Sequence, residues 1–475
     1  MSQPRLSARE ILVLVTVACA QLLVILDTTI VNIAVPLASA ELSLGADGQQ
    51  WIITAYALTF GAILLIGGRV ADYAGRKRTF LIGIAAFGLA SVWGGLAQTG
   101  AELLIARALQ GGSAALLAPA ALSIMSVAFP AGRARAVAFG LMGAIMSSGA
   151  ALGLILGGVL TEYAGWRWCL FINVPFAAVA SIFGIIVLRE SRAVGRHRYD
   201  IAGALTVALG LAFFVFGLTR AEKSLIASGA LPLIAAGLSL LAVFVLIERS
   251  SAAPLLPLRI ILHRARGGAM LVQLCSGAAM IGVTLYVTLH LQQVLNFTPL
   301  LTGLASLPLA AAVGLTMPFL IRLIPRIGLK PALVGGPLIA AAGIALLGRV
   351  SVGGTYLGEV LPGLIVMGVG MACIFAAAQN LALLGVDPED SGAAAAASNA
   401  ANQIGGALGL AVLTNIFVAV DGGSGSTATL VRGYSVVFLT SAGFMILAAL
   451  VAGFLIKVPR DAQAVEDTPD LSRLH

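Results

Sequence analysis

Two residues of this 475-residue chain carry charge where charge is costly. Asp27 stands in Leu22-Leu23-Val24-Ile25-Leu26-Asp27-Thr28-Thr29-Ile30-Val31, and Arg107 opens Arg107-Ala108-Leu109-Gln110-Gly111-Gly112, each inside an apolar run. A carboxylate held at bilayer depth costs about 2.5–3.5 kcal/mol on insertion scales, so such an acid usually has a partner. At about 1.5 Å per residue, Asp27 lies about 24 Å along its span from the inner face and Arg107 about 6–9 Å from the outer face. Across a hydrocarbon core of about 30 Å these depths coincide, so the two charges can pair. Arg107, Gln110 and Gly111 share one helix face by their i, i+3, i+4 spacing. A purely structural ion pair is one reading. An acid that alternates between an Arg-paired and a protonated form is the other, and it is what proton coupling requires.

The elements that must position them are membrane-spanning helices. The chain is 59% hydrophobic and 10% charged, whereas soluble domains run near 25% charged. Apolar runs of spanning length recur at about 11–36, 49–70, 79–98, 102–127, 136–160, 167–188, 201–219, 228–247, 267–292, 300–321, 331–348, 357–384, 393–419 and 434–456. Their length and all-round apolarity predict fourteen helices, not barrel strands. The expected fold class is an all-α polytopic membrane protein.

The net charge of +8 reports topology and not a nucleic-acid partner. With the N-terminus cytoplasmic, 22 of the 28 Lys and Arg fall inside, five fall outside and Arg107 lies within a span. That bias predicts cytoplasmic termini and an even number of spans. Arg5/Arg9, an apolar run and Ala38-Ser39-Ala40 resemble a signal peptide superficially. The run and the residues after it are too long, and Asp27 and Asn32 interrupt them, so this segment reads as the first span.

Several chemistries find no support. Cys19, Cys169, Cys275 and Cys373 are far apart, with no metal or disulfide spacing. The four histidines are scattered, no Gly-Lys-Ser/Thr phosphate loop occurs, and no soluble segment is long enough for a nucleotide-binding domain. The reading is a non-enzyme with no cofactor and no metal, driven by an ion gradient or by passive flow.

Two halves repeat. Ala151-Leu152-Gly153-Leu154 recurs as Ala407-Leu408-Gly409-Leu410, each about one span after a loop proline, Pro130 and Pro388. Gly75-Arg76-Lys77 after the second span is answered by Gly328-Leu329-Lys330 after the tenth. The expected organisation is a six-helix bundle over 1–190, a linker with two inserted spans over 191–262, a second six-helix bundle over 263–460 and a disordered tail over 461–475. Parallel halves of this kind place a substrate site at their interface near mid-membrane.

The loop after span two reads Gly68-Arg69-Val70-Ala71-Asp72-Tyr73-Ala74-Gly75-Arg76-Lys77. It resembles the loop signature of the major facilitator superfamily, Gly-x-Leu-Ala-Asp-x-x-Gly-Arg-Lys, with Val70 replacing Leu. The resemblance implies that Gly68, Asp72, Gly75 and Arg76 belong to a cytoplasmic gate that latches the two halves. Leu26-Asp27-Thr28-Thr29-Ile30-Val31-Asn32-Ile33-Ala34-Val35-Pro36 resembles the first-span signature of the fourteen-span drug:proton antiporters. Arg107-x-x-Gln110-Gly111 resembles the superfamily's span-four motif, whose Arg is associated with proton transfer. Trp166-Arg167-Trp168 followed by Phe171-Ile172-Asn173-Val174-Pro175 is similar to the same branch at span six.

The chain departs from that pattern twice. In span five the glycines Gly149, Gly153, Gly157 and Gly158 remain, but Leu154 follows Gly153 where the antiporter motif has Gly-Pro. In span thirteen Asn402 stands where many relatives carry Arg. The polar minority within apolar spans supplies candidate substrate-lining residues: Asn32, Tyr56, Gln110, Gln273, Tyr286, Gln379, Asn380, Asn399, Asn402 and Gln403. Amides on apolar faces suit a bulky, mainly apolar ligand, and interhelical hydrogen bonding is the competing role for each.

The resemblance implies proton-coupled efflux of a drug or other small amphipathic compound by alternating access, from a bacterial inner membrane. Its partners would be the substrate, protons and membrane lipid, with no nucleic acid and a monomer sufficing. A lipid or lipid-conjugate exporter is the first alternative and a proton-coupled importer the second. A membrane sensor would need a signalling domain that the sequence does not show.

Overall fold

The computed structural model describes residues 7–129, 133–192, 200–220, 229–251, 258–383, 386, 391–422 and 425–456. Pro130, Pro388 and the tail expected over 461–475 lie outside the described residues. In chain order the long helices are α1 (Ala8–Glu41), α2 (Ala46–Ala74), α3 (Arg76–Leu96), α4 (Gly100–Ala128) and α5 (Arg133–Tyr163). Next come α6 (Trp168–Val187), α7 (Ile201–Arg220), α8 (Ala230–Ser250) and α9 (Arg264–Val294). The last are α10 (Pro299–Ile327), α11 (Leu329–Leu347), α12 (Leu361–Leu383), α13 (Ser391–Asp421) and α14 (Thr427–Leu455). Each expected span falls on one of these helices, and no strand occurs among the described residues.

Twelve of the helices are long and apolar enough to cross a membrane, or thirteen if the bent α2 counts as one span. The apolar stretch of α5 that meets the composition test is shorter, Ser148–Tyr163. The fourteen expected spans are thus fourteen helices, of which twelve or thirteen pass on length and composition alone. The chain is a multi-pass membrane protein.

Local chemistry sets the helix ends. Ser7 caps α1 in a reciprocal capping box with Glu10, and Thr99, Thr298 and Ser426 cap α4, α10 and α14 through their side chains. Between α2 and α3 the chain reverses over one residue, Gly75, at φ +116°, and between α10 and α11 over Gly328 at φ +86°. Both angles lie where only glycine is free of strain, so the repeated Gly-x-Lys spacing has a conformational cause.

Packing repeats with a shift of eight helices. In the first half α1 packs on α5, α4 and α6, while α4 lies against α2 and α3, and α3 against α6. In the second half α9 packs on α13, α12 and α14, while α12 lies against α10 and α11, and α11 against α14. Two seams join the halves: α2 with α13, and α5 with α10. The hairpin α7–α8 breaks the symmetry, because α7 touches α2 and α13 together. We call the membrane side carrying Arg76, Lys77 and Arg78 the basic side, and the other the far side.

Candidate functional site

Asp27 and Arg107 meet. Arg107 Nη1 lies 2.5 Å from Asp27 Oδ2, and both side chains are withdrawn from solvent, at 2% and 0% exposure. The guanidinium also donates through Nε to the Ile52 carbonyl at 3.0 Å and through Nη1 to Gln110 Oε1 at 2.8 Å. Its carbon lies 4.6 Å from the centre of the Tyr56 ring, so a cation–π contact covers the remaining face. The second carboxylate oxygen, Oδ1, accepts from Gln110 Nε2 at 3.1 Å and from Asn173 Nδ2 at 2.8 Å. Ser91 Oγ accepts from the same two amides at 2.7 and 3.4 Å. Five helices, α1, α2, α3, α4 and α6, each give one or more members of this network.

A buried pair of this kind survives only because its spare donors and lone pairs are taken up, since desolvation otherwise exceeds the Coulombic gain. Small residues let the donors come that close. A Cβ on Gly111 would stand 2.3 Å from the Tyr56 carbonyl, so α4 presses directly on α2 and brings Arg107, one turn away, over the Tyr56 ring. A break in α6 at Ile172 sets Asn173 at the start of its longer segment, aimed at Asp27.

The span-five glycines hold α1 from the other side. Cβ atoms on Gly149, Gly153 and Gly157 would meet Leu22 at 2.6 Å, Thr29 Oγ1 at 1.8 Å and Ile30 Cα at 3.0 Å. Gly158 faces α10 instead, where a Cβ would stand 2.7 Å from Leu300 Cα. The second half does the same with Gly405 and Gly409, whose Cβ atoms would meet the Leu274 carbonyl at 2.0 Å and Ala278 Cα at 2.3 Å. Small-residue packing thus places α5 on α1 and α13 on α9 alike.

The chemistry does not repeat. Gly368 fits under the Leu309 carbonyl of α10 as Gly111 fits under that of Tyr56. Counting back from these glycines, Leu364 and Met367 occupy the places of Arg107 and Gln110. The second half has apolar side chains where the first has its ion pair.

The loop residues take up other positions. Asp72 Oδ1 accepts from Arg76 Nη2 at 3.0 Å, within one turn of chain. Glu190, just past α6, accepts from the backbone N–H groups of Lys77 and Arg78 at 3.1 and 3.2 Å. The N–H of Arg76 donates to the Ser191 carbonyl at 3.0 Å, and Lys77 Nζ to the Ile185 carbonyl at 2.7 Å. Gly75 approaches the Glu190 carboxylate, and Gly68 lies in ordinary contact with Pro119 of α4. These bonds tie the loop to the end of α6 in its own half.

The substrate-lining candidates divide. Tyr56 and Gln110 are buried in the charge network, a placement sequence reasoning missed together with the parts of Ser91 and Asn173. Asn173 offered a signal, an amide inside an apolar span; Ser91 offered none. Gln273 and Tyr286 are buried between helices: the Gln273 carbonyl accepts from Asn402 Nδ2 at 3.2 Å, and Tyr286 donates to Thr414 Oγ1 at 3.0 Å. Gln403 lies beside Gly61 at the α2–α13 seam. Asn32 donates back to the Thr28 carbonyl of its own helix at 3.0 Å. Gln379 donates to Asn399 at 3.2 Å, and Asn399 and Asn380 are exposed, on the basic-side halves of α13 and α12.

Residues 17–410 match the Major Facilitator Superfamily. The chain is 42% identical over 456 residues to a puromycin resistance protein of Streptomyces alboniger, covering 93% of this chain and 90% of that one. It is 34% identical over 455 residues to a cephamycin export protein of Amycolatopsis lactamdurans, covering 94% and 93%. In fold it resembles the POT family transporter PepTSo, with a TM-score of 0.72 and 15% identity over 98% of this chain and 100% of that one. It also resembles a bacterial homologue of the lysosomal transporter Spinster, with a TM-score of 0.65 and 16% identity over 95% and 97%. The chain belongs to the Major Facilitator Superfamily and is a membrane transporter, not an enzyme.

Proposed function

We propose that this protein exports amphipathic compounds, antibiotics among them, from a bacterial cell in exchange for protons. The observation that carries this reading is the Asp27 carboxylate, fully buried yet held by Arg107, Gln110 and Asn173. An acid whose charge is stabilised by one removable set of contacts has two states to switch between. The relatives named for puromycin resistance and cephamycin export support the direction and the class of cargo.

In the proposed cycle the basic side faces the cytoplasm, in keeping with the positive-inside bias. Asp27 is charged and bridged to Arg107 while the far side is closed. That closure is supported by Glu162, which accepts from the Leu300 N–H at 2.9 Å, and by Gln292, which donates to the Ile33 carbonyl at 3.2 Å. Protonation from outside neutralises Asp27, weakens its hold on Arg107 and lets 1–190 and 263–460 rock as units about the substrate. Release of the proton inside restores the bridge. This reading assigns the whole cycle to a single chain.

The test is proton movement in proteoliposomes, followed with a pH-sensitive dye after addition of puromycin. Wild type should give a substrate-triggered flux and Asp27→Asn none, with the mutant still folded and inserted. Normal coupled transport by Asp27→Asn would refute the coupling role.

A further inference from the structure

Trp166 and Arg167 stand in the turn between α5 and α6, at the far side, and both reach the end of α1. Trp166 Nε1 donates to Glu41 Oε2 at 2.7 Å, and Arg167 donates to the other oxygen of the same carboxylate. Arg167 also donates through Nη2 to the Ala97 carbonyl at the end of α3, at 3.0 Å. Its guanidinium carbon lies 4.4 Å from the centre of the Trp166 ring. The indole is thus held by two charged side chains and is itself buried. None of these bonds goes to the cage around Asp27.

Under the indole lies a small cavity with space for about one water molecule. Arg107 forms its floor, Trp166 its roof and Cys169 of α6 part of its wall. On α1 it is bounded by Val31, Ala34 and Ala38. These recur at helical spacing on the face that carries Asp27 and, at the far-side end, Glu41. The two acids are about 21 Å apart along the helix, and the cavity lies in the interval. Apart from the guanidinium, the side chains that line it are apolar, so when closed it excludes water and carries no proton. Every residue that lines it, and every side chain that donates to Asp27, belongs to 1–190.

We propose that external protons reach Asp27 through this cavity, with Trp166 as a lid that Glu41 and Arg167 hold shut. This rests on the coupling reading of Asp27. With the indole displaced, water fills the interval from Glu41 to the Asp27–Arg107 bridge, and a proton passes along it to the carboxylate. The ion pair that holds the lid sits at the membrane surface, with Arg167 and Glu41 side chains 28% and 52% exposed. Such pairs are weak, so the lid opens at small cost. The substrate takes the space between the halves and the proton a channel inside one half. On a shared path, a bound amphiphile would shut the proton out.

The experiment uses the full chain with Cys19, Cys275 and Cys373 replaced by alanine, which leaves Cys169 as its one thiol. The membrane-impermeant reagent methanethiosulfonate ethylsulfonate is added to right-side-out and to inside-out membrane vesicles. Cys169 should be labelled from the outer face only, and several-fold faster in Trp166→Ala and in Glu41→Gln. Labelling from the inner face, or rates that neither substitution changes, overturns the proposal. Glu41→Gln alters an exposed side chain, so it decides the matter even if Trp166→Ala fails to fold. In proteoliposomes the adduct on Cys169 fills the cavity of a protein already folded. It should abolish puromycin-triggered proton flux while binding of radiolabelled puromycin is kept. Loss of both together, or of neither, refutes a proton path separate from that of the substrate. If the unlabelled protein gives no proton flux the coupling reading fails, and the sidedness of labelling still decides whether the cavity opens outward.

Discussion

Asn173 reaches across 146 positions of sequence to donate to Asp27 Oδ1 at 2.8 Å, on the side of the carboxylate opposite Arg107. The ion pair is therefore part of a cage, with one carboxylate oxygen for the cation and the other for two amides. Removing an amide leaves a buried anion short of a donor, which costs about 1–3 kcal/mol. Asn173→Ala should lower the thermal stability of the purified protein by that amount. It should also lower substrate-driven proton flux in proteoliposomes, because Asp27 loses one of the two amides that hold it. Unchanged proton flux would make Asn173 structural only.

Arg107→Lys keeps the charge and loses the fork. A lysine cannot serve the Ile52 carbonyl, Asp27 and Gln110 from one plane while covering the Tyr56 ring. Substrate-driven proton flux in proteoliposomes should fall nearly as far for Arg107→Lys as for Arg107→Ala. Lysine at near wild-type flux would mean that charge alone is needed there.

Gly153→Ala and Gly409→Ala occupy matching places in the two halves but meet different obstacles. At Gly153 the nearest atom is a side-chain hydroxyl, Thr29 Oγ1, while at Gly409 it is the backbone of Ala278. A hydroxyl can be removed and a backbone cannot, so Thr29→Ala, which leaves the Thr29 Cβ 2.9 Å from the added methyl, should rescue Gly153→Ala in part, whereas no single side-chain change rescues Gly409→Ala. Overpacking of this kind costs about 1–3 kcal/mol, read as lost thermal stability in detergent.

Glu190→Ala should loosen the loop between α2 and α3. The carboxylate serves two backbone donors at the start of α3, and losing such a cap costs about 0.5–2 kcal/mol. Amide hydrogen exchange at Lys77 and Arg78 should accelerate, with exchange at Asp27 and its neighbours unchanged. Glu190→Gln, which keeps acceptor capacity on one oxygen, should show a smaller effect.

Much of this molecule is written locally. Apolar runs of spanning length determine the helices, and the reversals at Gly75 and Gly328 come from glycine at positive φ. The isolated charges of Asp27 and Arg107 mark the site because charge at bilayer depth is expensive wherever the helix ends up. The two glycine stripes mark which helix faces meet closely, though not which helices.

Tertiary structure decided the partners. Nothing in the sequence distinguishes Ser91 from other serines of the apolar spans. Asn173 becomes a ligand of Asp27 only once α6 lies against α1. Tyr56 and Gln110 look like lining residues until packing turns both toward the ion pair, and Glu190 has no role until α6 ends beside Gly75. The hairpin α7–α8 could have docked on either seam, or on none, because its apolar surface is satisfied by lipid everywhere. In a membrane the burial of apolar area selects for spanning but not for neighbours. The sequence by itself therefore determined the helices and their costly charges, while close packing and buried hydrogen bonds, which exist only between assembled helices, determined the cage around Asp27.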